Sequence, residues 1–196
     1  MEIVRLERAR LGEASDMLAR AFQDDPAWVW LIPDPRRRAR LLPWLFRVGF
    51  DVTAADVWAT AGEVLGAARW MPPGRPATRV GPTLRALVTT PLRLGTATGS
   101  FLAYGSAVEA LRAEAMPGEH WYLAGIGVDP SAQRQGIGSA LLRPGVEAAA
   151  RAGLPAVLLT NAAANLPFYE ANGFEVVRRG TTPEKGPDAW AMVRWP

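Results

Sequence analysis

The sequence predicts an α/β fold, a mixed sheet with helices on both faces. Three observations lead there. Helical and strand-like hydrophobic periods share the chain, two adjacent strand-like runs lie in its first half, and from His120 onward strands and helices alternate as in a βαβ unit. Apolar residues make up 49% of 196, enough to bury a sizeable core in one domain spanning 1–196.

Residues 2–7 (EIVRLE) read as a short strand. Residues 13–23 (EASDMLARAFQ) read as an amphipathic helix, because Met17, Leu18, Ala21 and Phe22 fall on one side. A second helix follows Pro35 over about 36–52, its apolar residues Leu41, Leu42, Trp44, Leu45, Val48 and Phe50, with Pro43 as a kink or irregularity. The runs 57–61 (VWATA) and 64–71 (VLGAARWM) are separated by Gly62 and Glu63, which predicts a hairpin with a tight turn. Pro and Gly crowd 72–81 into a loop, and helical periodicity then returns in two pieces, 82–94 and 98–115, interrupted near Gly95. Residues from about 72 to 118 are thus a helical insertion. Next come a strand over 120–128, a Gly-rich turn, and a helix over about 137–152 that Pro144 bends in the middle. The chain closes with a strand at 155–160, a short helix at 166–172 ended by Gly173, and strands at 174–179 and about 189–195.

Composition removes several functions. With no cysteine there is no disulfide, thiolate metal site or cysteine nucleophile, and a single histidine, His120, excludes a multi-histidine centre, so no metal is expected. The net charge is only +3 and the arginines are scattered, which argues against nucleic acid as a partner. The one basic cluster, Arg36, Arg37, Arg38 and Arg40, reads as a solvated helix face. Charges and prolines break every apolar run short of the roughly 20 residues of a membrane span, and the N-terminus (MEIVRLERAR) has no signal-peptide core. The expectation is a cytoplasmic protein without a membrane partner, a monomer or homodimer.

The most informative segment is 120–139, HWYLAGIGVDPSAQRQGIGS, where a strand-like run meets a Gly-rich turn that opens a helix. Gly136 and Gly138 allow close approach of the backbone, and the free N–H groups of the helix start, with the helix dipole, suit a diphosphate. The glutamine-initiated series Gln133-Arg134-Gln135-Gly136-Ile137-Gly138 has the spacing Q-x-x-G-x-G after Val128-Asp129-Pro130, and downstream stands Asn165-Leu166-Pro167-Phe168-Tyr169-Glu170-Ala171-Asn172-Gly173-Phe174. Together these resemble the acyl-CoA-binding motifs of the GCN5-related N-acetyltransferases, the GNAT family. Within it, GSALLRPGVEAAARAGLPAVLLTNAAANLPFYEANGF, and FQDDPAWVWLIPD at 22–34, look like the puromycin N-acetyltransferase-like subgroup with its antibiotic-modifying members.

The resemblance implies a GNAT acyl-CoA N-acyltransferase fold, a central, mostly antiparallel twisted sheet with helices on both faces. It implies acetyl-CoA as cosubstrate and an amine as acceptor. Ile126, Gly127 and Val128 would pair through their backbone with the pantetheine amides, as an added strand does. Arg134, Gln135, Gly136, Ile137, Gly138 and Ser139 would surround the pyrophosphate, and Asn165 would bond the pantetheine arm or else cap the helix that starts at 166. Tyr169 matches the family's general acid: a phenol near pKa 10 stays protonated at neutral pH while a thiol sits near 8.5. A backbone N–H at a strand bulge near Val128 would polarise the acetyl carbonyl.

The base is less well marked. Tyr122 stands where histone-type relatives hold a carboxylate, and Leu159 where several puromycin-type relatives carry Glu. His120, two residues from Tyr122 and so on the same strand face, is either the proton acceptor or a hydrogen-bonded strand-end residue. Trp28, Trp30, Phe101 and Tyr104 are candidates to line an acceptor pocket between 22–34 and the insertion, or to pack in the core, and Asp24 and Asp25 either attract a cation or cap a turn. The function expected is direct N-acetylation of a primary amine, of a small antibiotic-like molecule or metabolite. Acetylation of a protein N-terminus or lysine, and a non-catalytic acyl-CoA sensor, are the alternatives.

Overall fold

The computed structural model describes residues 1–52, 56–74, 80–183 and 185–196. Its strands are β1 (Ile3–Arg5), β2 (Asp56–Thr60), β3 (Gly66–Met71), β4 (Trp121–Val128), β5 (Ala156–Thr160), β6 (Glu175–Thr181) and β7 (Asp188–Arg194). They form one sheet in the order β1-β2-β3-β4-β5-β7-β6, in which β4 and β5 alone run parallel. The helices are α1 (Leu11–Ala21), α2 (Pro26–Leu31), α3 (Pro35–Val52), α4 (Val80–Leu94), α5 (Ala97–Ala115), α6 (Ile137–Arg151) and α7 (Leu166–Ala171).

Strand alternation sorts the core into two faces. Trp70, Leu123, Leu158 and Met192 point to the side covered by α6 and α7, where they meet Ile137, Leu141, Leu142 and Tyr169. Ala59 and Ala67 point the other way, onto Ala14, Met17 and Leu18 of α1 and Phe50 of α3, and further along that face Leu111 of α5 rests on Ala189 and Ala191 of β7. Trp70 is fully buried, and a Cβ on Gly145 would lie 2.1 Å from its ring. Gly145 of α6 is therefore a slot for the indole, and truncating Trp70 to alanine would cost about 3–5 kcal/mol.

Two local expectations need correction. The link between β2 and β3 is not a two-residue turn: the strands end at Thr60 and resume at Gly66. The Thr60 hydroxyl closes this longer loop, donating to the Glu63 carbonyl at 2.6 Å and accepting from the Leu65 N–H at 2.9 Å. The segment after α1 holds a helix, α2, which Asp25 caps by accepting from the N–H groups of Ala27 and Trp28, with Pro26 in its first turn. The sequence PAWVWL has no polar face, so periodicity does not mark it. Of the predicted loop at 72–81, residues 75–79 lie outside the described residues, and Val80 already belongs to α4. No helix among the described residues is long and apolar enough to cross a membrane.

Candidate active site

β4 and β5 are partners over a short stretch only. Trp121, Tyr122 and Leu123 pair with Ala156, Val157 and Leu158, after which β4 runs on to Val128 and β5 to Thr160. The strands part there, and Ile126, Gly127 and Val128 line a cleft of about 700 Å³. Toward β3 the register also breaks: Leu123 stands opposite Trp70 and Gly125 opposite Arg69, leaving Ala124 as the extra residue of a bulge. The bulge thus lies at Ala124 and not near Val128, because the ladder with β3 continues from Gly125 to Val128.

Past β4, Asp129 fixes the turn. One carboxylate oxygen accepts from the N–H and hydroxyl of Ser131 at 3.1 and 2.7 Å, the other from Nε of Arg20 in α1 at 2.9 Å. The Ser131 hydroxyl first, and Arg20 next, hold the Asp129 carboxyl below its ordinary pKa. Arg134 and Gly136 then adopt left-handed conformations with φ of 62° and 81°, the kind of backbone that builds anion-binding nests. α6 opens without a side-chain cap, so the N–H groups of Ile137, Gly138 and Ser139 have no intrahelical acceptor. A Cβ on Gly136 would meet nothing within 4 Å, whereas one on Gly138 would lie 2.9 Å from the Phe168 ring. Gly136 is required by its φ, Gly138 by the packing of α7 against α6.

Ten residues expected around the cofactor line this one cleft: Ile126, Gly127, Val128, Arg134, Gly136, Ile137, Gly138, Ser139, Asn165 and Tyr169. Gln135 is exposed and outside the lining. Asn165 precedes α7 and, among the described residues, makes no side-chain capping hydrogen bond, so the cap reading is not what the structure shows. Tyr169 is buried, its ring 5.0 Å from Phe168 and 6.1 Å from Phe174. Burial first, then the negative charges of Asp25 and of an ionised Tyr122, push its phenol well above the ordinary value, so the proton stays on.

The acceptor side differs more from expectation. His120 lies just before β4, its Nδ1 2.7 Å from the Gly118 carbonyl and its Nε2 2.6 Å from Nη1 of Arg112. Since a carbonyl only accepts and a guanidinium only donates, Nδ1 carries the hydrogen and the Nε2 lone pair is taken up by Arg112. Burial lowers the His120 pKa, and the Arg112 charge lowers it further against the opposing Gly118 bond. Arg112 also lies over the Tyr122 ring at 5.2 Å, so His120 and Tyr122 do share one side, under α5. His120 is not in the lining of the cleft that holds Tyr169. Leu159 packs into the apolar contact of α5 with β7.

Trp28, Trp30, Phe101 and Tyr104 pack against one apolar cluster and are not in the lining of that cleft. They pack beside Leu31, Leu42 and Leu94, with Trp28 6.2 Å from Phe101 and 5.7 Å from Phe46. The Tyr104 hydroxyl donates to Oδ1 of Asn161 at 2.8 Å, and the Asn161 amide donates in turn to the Thr182 hydroxyl and the Asp188 carbonyl, tying α5 to the end of β5.

Asp25, expected either to attract a cation or to cap a turn, caps α2 and also lines the cleft, together with Phe22, Asp24 and Pro26. Sequence reasoning misread one residue. Arg38, read as part of a solvated face, is buried at 4% exposure and donates to the carbonyls of Gln23, Ile32 and Pro33 at 2.6, 2.6 and 3.1 Å. It clamps both ends of α2, and no local signal separates it from its neighbours Arg36 and Arg37.

The model of the Acetyltransferase (GNAT) family matches residues 16–174. The chain belongs to that family. It is thus an acyl-CoA-dependent N-acetyltransferase, and acetyl-CoA is the family's cosubstrate. Solved structures show the same fold. A histone acetyltransferase HPA2 and related acetyltransferase from Corynebacterium glutamicum is 22% identical with a TM-score of 0.66, over 99% of this chain and 95% of that one. A putative arylalkylamine N-acetyltransferase 7 of the mosquito Aedes aegypti is 14% identical with a TM-score of 0.64, over 98% and 86%. The ribosomal-protein-S18-alanine N-acetyltransferase of Escherichia coli is 19% identical with a TM-score of 0.52, over 99% and 92%. The cleft of this GNAT protein fits acetyl-CoA: uncapped helix N–H groups suit its diphosphate, and the β4 edge beyond the β5 pairing suits its amides.

Proposed function

We propose that the protein acetylates a primary amine of a small molecule by direct attack on acetyl-CoA, with Tyr169 as general acid. The observation that carries this reading is the placing of a buried, proton-retaining phenol in the same cleft as the glycine turn and the uncapped start of α6. Ile126–Val128 and Asn165 bind the pantetheine arm, and Arg134 and the N–H groups of 136–139 bind the pyrophosphate. A backbone N–H of the Ala124 bulge polarises the acetyl carbonyl. Nitrogen attacks, the C–S bond breaks, and Tyr169 protonates the departing thiolate. No covalent intermediate on the enzyme is needed.

A small acceptor is supported by the way α5 is tied down, through Tyr104 to Asn161 and through Leu111 to β7, beside the opening between β4 and β5. The sequence resemblance to the puromycin-type subgroup supports an antibiotic-like amine and a cytoplasmic site of action. Release of free thiol from acetyl-CoA, measured against a panel of small amines and of peptides with free N-termini or lysines, tests the reading. Turnover of small amines is expected. Turnover of peptides alone would move the acceptor to proteins, and acetyl-CoA binding without turnover of any amine would leave a sensor domain.

A further inference from the structure

We infer that Asp25, the N-cap of α2, is the base of this enzyme, the carboxylate that receives the acceptor's ammonium in the cleft and takes its proton. The inference rests on the proposed amine acetylation and names a residue for the step that reading leaves open. Three observations carry it. Asp25, at the start of α2, and Tyr169 of α7 both line this one cleft, so an acceptor amine bound there meets a carboxylate and a phenol together. Only one carboxylate oxygen, Oδ1, is used in capping Ala27 and Trp28, and Oδ2 has no hydrogen-bond or ion-pair partner among the described residues. Its neighbour Asp24 behaves otherwise, its side chain 96% exposed and 4.0 Å from Arg38.

The charge environment favours the same assignment. Burial raises the Asp25 pKa against the opposing cap bonds, which makes it a stronger base than an ordinary carboxylate. The titratable and charged groups around it are Tyr169 from α7, Tyr104 from α5, Arg134 from the turn and Asp24 beside it, with Tyr122 of β4 acting on both Tyr169 and Tyr104. Because the Asp25 charge is one cause of the raised Tyr169 pKa, protonating Asp25 makes Tyr169 a better acid as the thiolate leaves. His120, the other candidate, has its lone pair engaged by Arg112.

The protons balance. The ammonium gives one proton to Oδ2 of Asp25, and the neutral nitrogen forms the C–N bond. The C–S electrons leave on sulfur, which takes the Tyr169 proton. The second nitrogen proton returns to the Tyr169 oxygen, and Asp25 releases its proton to water with the product.

Asp25→Asn and Asp25→Ser test this, since both residues cap helices about as well as Asp and keep α2 in place. The assay is thiol release with two small primary amines, one with pKa near 10.4 and one near 8, from about pH 7 to 10. The expected result for the high-pKa amine is a loss in kcat/KM of about 10²-fold near pH 7, with Kd for acetyl-CoA within about twofold of wild type. The defect should shrink for the low-pKa amine and as pH rises toward the amine pKa, where the acceptor is already neutral. Unchanged kcat/KM in both variants would overturn the inference, and so would a loss independent of amine pKa and pH, which is the mark of a structural role. Either leaves the acetyltransferase reading intact if the wild type turns over, whereas a wild type that acetylates no amine removes both.

Discussion

Replacing Tyr169 with phenylalanine removes one oxygen and little else. The ring keeps its contacts with Phe168 and Phe174, and the hydroxyl has no hydrogen-bond partner among the described residues, so no buried group is orphaned. Folding stability should therefore change by no more than about 0.5 kcal/mol. Catalysis should suffer much more. Proton transfer to a leaving group is worth about 10²- to 10⁴-fold, and a thiolate, with a conjugate acid near pKa 8.5, leaves unaided more readily than an alkoxide. The lower end applies: kcat falls about 10²-fold, or about 2.7 kcal/mol in the barrier, with Kd for acetyl-CoA unchanged. Thiol release at saturating amine gives kcat, and a thermal or denaturant melt gives the stability control. Because burial holds the Tyr169 pKa above its ordinary value, the wild-type rate should show no alkaline limb from this group at or below about pH 10. A Tyr169→Phe variant with wild-type kcat would refute its role as acid, and a loss of kcat matched by a loss of stability would reassign it to packing.

Other substitutions test the framework. Arg38→Met strands the carbonyls of Gln23, Ile32 and Pro33, and should cost about 2–5 kcal/mol in denaturant unfolding and raise KM for the amine, since α2 loses its clamp. Gly136→Ala has room for its Cβ but not the backbone, and strain of about 1–2 kcal/mol at φ 81° should weaken acetyl-CoA in calorimetric titration. Asp129→Asn should flatten the acid side of the stability curve. The Asp129 pKa is lowered on folding, so its contribution is complete above the ordinary carboxylate range and fades as pH falls through the folded value, which unfolding midpoints below about pH 5 would register.

What the sequence reveals divides along physical lines. The donor side is made of local backbone events: a strand, a turn with glycine at a left-handed position, an uncapped helix start. Each leaves its mark within a few residues, and so Gly136, Ser139 and Asn165, which line the cleft, stand out in the sequence as candidates. The α3 and α5 boundaries are equally legible, because the apolar period and the flanking Pro35 and Gly95 agree with the fold. Whatever depends on distant partners is hidden. Arg38 and Arg36 look alike in RRRAR until the turn carbonyls close around one of them. Nothing local tells that Phe168 of α7 leaves no room for a Cβ on Gly138, and His120 reads as a free base until Arg112 reaches it from α5. The Ala124 bulge exists only in register with β3.

The same division bears on how this enzyme sets its specificity. α2 is six residues long, too short to hold itself together in water, and its stability comes from what it touches. Arg38 grips the carbonyls on either side, Trp28 leans on Phe46 and on Phe101 of α5, and Asp25 at its start faces the cleft. A change in α5 that shifts Phe101 therefore moves Trp28, and Trp28 lies three residues from the carboxylate assigned to the amine. Phe101→Ala should thus alter the choice of amine while leaving Kd for acetyl-CoA near its wild-type value, because the apolar cluster that holds Phe101 and Trp28 contains no residue of the α6 turn among the described residues. Weakened acetyl-CoA binding in that variant, with amine selectivity unchanged, would show that α2 does not couple α5 to the acceptor side.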